Sequence, residues 1–245
     1  MNSSNPTLNP SVFNSNGVAA GVPMTVQGAV NKTILFVMMV CVSSLYTWRE
    51  AVANPGSAMP WVMGGCLVGL IMAVVTSFKP QWAAITGSIY AIAEGLALGG
   101  ISAYYEARFH GIVLQAVLLT IGTLLAMLGL YTTRIVQPTA KFQMGVMAAT
   151  GGICLVYLVT IILGFFHIQV PFIHSNGMVG IGFSLFVVII AALNLIMDFG
   201  MIEYGAANRA PKYMEWYSAF GLLVTLVWLY LEILRLLAKI SSRRD

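Results

Sequence analysis

Seven apolar runs, each about long enough to cross a bilayer and separated by short links, decide what this chain can become. They are Asn31–Trp48, Pro60–Phe78, Trp82–Tyr105, Gly111–Thr132, Gln143–Phe166, Met178–Ile202 and Met214–Ala238. A helix needs about 20 mostly apolar residues to span roughly 30 Å of hydrocarbon. Inside lipid, each backbone N–H and C=O must be satisfied within the protein. The runs are continuous rather than alternating, which selects helices over a barrel. The sequence therefore predicts an all-α membrane protein with seven transmembrane helices over residues 24–240. A polar, disordered amino-terminal tail is expected over 1–23 and a basic tail over 241–245.

Composition agrees. Apolar residues make up 59% of the chain and charged ones 8%, against about 25% charged in a soluble domain. The net charge of +4 is spread through the links. It forms no stripe such as a nucleic-acid backbone requires, so nucleic acid is excluded as a partner and the bilayer takes its place. The first 23 residues carry no side-chain charge and lack the basic region of a secretory signal. Cys41, Cys66 and Cys154 lie inside apolar runs, with spacings that match no disulfide or metal framework. They are expected to be small buried hydrophobes. Pro55, Pro80, Pro138, Pro171 and Pro211 fall in or beside links, where a missing N–H does no harm.

With the amino end inside, the inner links carry Lys32, Lys79, Arg134, Lys141, Arg209 and Lys212, and the outer links only Arg49 and Arg108. The positive-inside rule then places the amino terminus in the cytoplasm. The tail KISSRRD is basic on the other side and disagrees.

Small residues mark close helix packing. Gly87, Ala91, Gly95 and Gly99 recur every four positions in the third span, on one face. Gly145, Ala149 and Gly152 are expected to do the same in the fifth.

Acids at membrane depth carry the chemical interest, because such groups cost about 2.5–3.5 kcal/mol on insertion scales. Glu94 sits mid-span beside the small-residue face. It either bonds to a neighbouring helix or lines an ion or proton path. Asp198, about a turn from the end of the sixth apolar run, shares a helical face with Asn194. It is either a structural hydrogen-bonding group or an acid that switches protonation. Glu203 points about 140° away and belongs to the interface or link. Glu232 and Arg235, three apart, can pair on one face. Glu106, Arg108 and His110 share the third link. His167 and His174, in or beside the fifth link, lack a nearby Cys or acid, which is a poor metal signal. No HExxH, GxSxG or glycine-rich phosphate loop occurs, and no nucleophile–base pair is evident. The chain is read as having no catalytic residues, no metal and no cofactor.

The stretches AALNLIMDFGMIEYG and EWYSAFGLLVTLVWLYLEILRLL, with SSNP, MTV, AEGLALGGIS and YEARFHGIVLQA, resemble the Bax-inhibitor family (transmembrane Bax inhibitor motif family), in its bacterial YccA-type branch. The resemblance runs from Met24 onward. It implies seven helices with the last one central, in a bacterial cytoplasmic membrane. It also implies a pH-sensitive calcium leak in which acids of the sixth and seventh helices share a proton. Asp198 matches the sixth-helix acid. Thr225 stands where the seventh-helix acid is expected, and Glu232 lies two turns further on. The second span has no basic residue to latch Asp198, which leaves Glu94 as the replacement partner. The expected function is a pathway for calcium or protons gated by Asp198 with help from Glu94. The alternative is a non-conducting partner that modulates a membrane protease or a stress response through the amino tail and the link ANRAPKYMEW.

Overall fold

The computed structural model describes residues 22–54, 56–166 and 177–243. Seven α-helices lie among them: α1 Val26–Ala53, α2 Ala58–Phe78, α3 Ala83–Arg108, α4 Ile112–Thr132, α5 Ala140–Phe165, α6 Met178–Ala207 and α7 Met214–Ser241. All seven are long and apolar enough to cross a membrane. No strand occurs among the described residues, so the all-α, seven-helix reading holds. Most helices run a few residues past the apolar runs, because the hydrogen-bond ladder continues into the interface where polar side chains are tolerated. Local chemistry sets several ends. The Thr25 hydroxyl accepts from the Gly28 N–H at 2.9 Å and caps α1. Gly111, at φ 80, takes the left-handed conformation that turns the chain from α3 into α4.

The helices form two compact units. One holds α1, α2 and α3 with the end of α6 from Asp198 and the start of α7 up to Val224. Here α3 lies between α1 and α2, and glycine permits the approach. A Cβ at Gly95 would strike Ser43 and the Val40 carbonyl, and one at Gly99 the Ser44 carbonyl. A Cβ at Gly87 would sit 2.8 Å from the Phe36 ring. On the other side, Gly65 of α2 packs against the Ala93 carbonyl. The small-residue face of the third span is thus the packing face. The start of α7 adds Phe220, edge-on to Tyr90 at 5.0 Å, and Trp216, 5.5 Å from Phe36.

Thr76 of α2 donates to Thr86 of α3 at 2.7 Å, and Thr86 donates to the Trp82 carbonyl at 3.0 Å. Interhelical bonds of this kind contribute about 0.6 kcal/mol in a membrane. Thr86→Val is therefore expected to lower stability by about 0.6 kcal/mol, and Thr86→Ser to keep it, in equilibrium unfolding titrations in mixed micelles.

The second unit holds α4, α5, α6 up to Met197 and α7 from Thr225. Its apolar centre is Ile153, Val187 and Ile190, covered by Ala149, Tyr157, Phe183, Leu193 and Trp228. The fifth span corrects one expectation. Gly145 and Gly152 are exposed, with nothing near where a Cβ would lie. The packing face of α5 is instead Val146, Ala149, Ile153 and Tyr157, spaced three or four apart. The cysteines correct another, since Cys41, Cys66 and Cys154 are all exposed on the protein surface. At bilayer depth the medium outside is itself apolar, so a cysteine in an apolar run has no need of the interior.

The last helix contributes to the interior of both units. Of its most apolar stretch 56% is buried, equal to α3 and well above the 11% of α5.

Candidate functional site

The helix α6 carries Asp198 nine residues before its last residue, Ala207. That places the acid about 13 Å along the helix from its end, deeper than the apolar run alone suggested. Its side chain is 0% exposed. One turn earlier, Asn194, at 4% exposed, donates to Thr150 at 2.9 Å and to the Ile190 carbonyl at 2.8 Å. The expected polar strip Asn194–Asp198 therefore points inward. Glu203 is exposed, as its angular offset implied.

Glu94 is part-buried and turned toward α2. It accepts a hydrogen bond from Tyr90 one turn earlier, and Cys66 lies within its field. A Cβ at Gly69 would meet its Oε1 at 3.4 Å. These neighbours belong to α2 and α3, and Glu94 is placed by them.

On α7 the buried polar residues Ser218, Thr225, Glu232 and Lys239 recur every seven positions, on one stripe of the helix. Thr225 is buried, at the position where the family's second acid was expected. Glu232, 2% exposed, accepts from Arg235 Nη1 at 2.8 Å, which is the pair expected from their spacing. It also accepts from the Tyr157 hydroxyl at 2.8 Å. Arg235 lies over the Tyr157 ring at 5.4 Å and donates to its hydroxyl at 2.9 Å. Lys239 reaches α6, donating to the Gly180 carbonyl at 3.0 Å and Ser184 at 2.9 Å.

A further carboxylate, unread in the sequence, sits at the start of α7. Glu215 is 0% exposed. Its Oε1 accepts from the Thr25 N–H at 2.9 Å, the Thr25 hydroxyl at 3.0 Å and Lys212 at 2.7 Å, while Lys32 pairs with Oε2. Lys32 also lies 5.2 Å from the Trp216 ring. Its position at the edge of a polar link disguised it. The available signal was an acid in the first turn of a helix, where the dipole favours one.

The link ANRAPKYMEW is correspondingly less open than expected. Ala210, Met214 and Glu215 are buried, leaving Asn208, Arg209 and Lys212 at the surface. In the third link, Arg108 donates weakly to Tyr104 at 3.4 Å, and His110 is exposed. His167, His174, Pro55, Pro171 and the tail over 1–23 apart from Val22 and Pro23 lie outside the described residues.

Seven apolar helices with inward-facing acids define a multi-pass membrane protein. The family model described as Bax inhibitor 1 like matches residues 5–242, and the chain belongs to that family. No curated protein and no solved structure matches the chain.

Proposed function

We propose that the protein is a passive pathway for calcium or protons, with its amino terminus in the cytoplasm and its conduction governed by protonation of Asp198. The observation that carries this reading is the seat of that residue. A carboxylate is kept, fully buried, inside a 30-residue apolar helix, with the amide of Asn194 one turn away. An acid at such depth is costly to insert and marks ion or proton routes. Membership of the Bax inhibitor 1 like family supports the reading. Because Asp198 is shut off from solvent, the arrangement corresponds to the closed form, and loss or gain of one proton biases it toward an open one.

Protein reconstituted in liposomes is expected to pass calcium or protons at a rate that differs between mildly acidic and neutral pH. A single-proton switch allows at most about a ten-fold change per pH unit. Asp198→Asn, which cannot ionise, is expected to flatten that dependence to about one-fold. Wild-type protein that passes neither ion at either pH overturns the leak. If it still captures a membrane protease, the reading moves to a non-conducting modulator. A preserved pH response in Asp198→Asn overturns the gating role alone.

A further inference from the structure

We infer that the short strap Pro23–Thr25, just before α1, closes the route to Asp198 from the face that carries the α6–α7 link, and that Glu215 is the catch holding it shut. The role of this seal in conduction rests on the leak reading; the seal itself does not.

The strap lies against the link. Pro23 and Pro211 form an antiparallel bridge, and the Met24 N–H donates to the Ala210 carbonyl at 2.8 Å. Both bridge residues are prolines without an N–H, so the backbone alone fastens the strap thinly. Beneath it is an apolar plug. Met24, Ala83, Met201, Ala210, Met214 and Tyr217 pack together, each no more than 3% exposed. Met201 is one turn from Asp198 on α6, so this plug stands between the link face and the acid. Methionine yields easily because its side chain is unbranched and adaptable, and a plug with three of them can part.

Glu215 supplies the missing fastening. Its donors come from the strap (Thr25), from α1 (Lys32) and from the link (Lys212). The carboxylate enters because Gly28 offers no side chain; a Cβ there would overlap it. Without its charge, two ammonium groups would face one another across the strap and push it away. One residue thus decides whether strap, first helix and link stay together.

The test reads water access at position 198. In full-length protein with Cys41, Cys66 and Cys154 replaced by alanine, Asp198→Cys is labelled with a membrane-impermeant maleimide applied from the link face. Labelling is expected to be slow. Adding Glu215→Gln is expected to speed it about ten-fold, the change that ~1.4 kcal/mol of lost fastening produces. A disulfide between Met24→Cys and Ala210→Cys is expected to return it to the slow rate. Should Glu215→Gln fail to fold, Thr25→Val removes the hydroxyl bond to Glu215 together with the hydroxyl's cap on the Gly28 N–H, keeps the Thr25 N–H bond to the carboxylate, and is expected to give about a two- to three-fold rise. Unchanged labelling in folded protein overturns the strap, as does fast labelling that the disulfide leaves untouched. Fast labelling reversed by the disulfide, in protein that carries no ion flux, upholds the strap while removing the leak.

Discussion

Replacing Gly99 by leucine is expected to leave no folded protein in detergent, whereas Gly122→Leu is expected to purify as the wild type. At Gly99 a Cβ would collide with the Ser44 carbonyl and the atoms next to it. The obstacle is backbone, so no rotamer change relieves it. Overpacking costs about 1–3 kcal/mol in soluble cores that can shift. Here the neighbour is α1, also fitted against Gly95 through Ser43 and Val40, and moving it breaks both contacts. Lipid offers helices no hydrophobic drive to stay together, so lost packing is not compensated. Gly122 on α4 has open space where its Cβ would lie. The difference should appear in the monodisperse fraction on size exclusion and in the thermal midpoint. Equal behaviour of the two variants would show that the α1–α3 contact does not hold the unit.

Arg235→Met is expected to destabilise the protein by about 3 kcal/mol, because it strands the Glu232 carboxylate. That group is 2% exposed and would keep only the Tyr157 hydroxyl. Arg235 is itself 38% exposed, so solvent screens part of the pair and the loss belongs at the lower end of the range for broken buried pairs. Adding Glu232→Gln removes the stranded charge and is expected to recover most of the loss. Unfolding titrations of both single variants and the double variant give the coupling directly. Purely additive losses would place Glu232 in a wetter setting than its burial implies.

What the sequence disclosed was whatever is written along one helix. The seven runs, the α3 glycine face and the Glu232–Arg235 pair each follow from length or from spacing of three or four. The fifth span failed by the same rule, since Gly145 and Gly152 carry the spacing but turn outward. Spacing shows that residues share a face, not which face meets a helix. Tyr157 was hidden because it meets Glu232 across 75 residues. Glu215 was hidden more deeply, because it reads as a soluble-looking link residue until the chain folds back on it. Asp198 was visible as an anomaly; the helix continuing to Ala207 showed its depth.

Thr25 and Glu215 stand 190 positions apart, which has a consequence for synthesis. Lys32 leaves the ribosome early and its counter-charge comes almost last. Through most of translation that ammonium has no Glu215 carboxylate to pair with. Only when the final helix inserts is it neutralised. The pair thus forms only after the last helix has been made, and a truncated chain ending before Glu215 lacks it altogether.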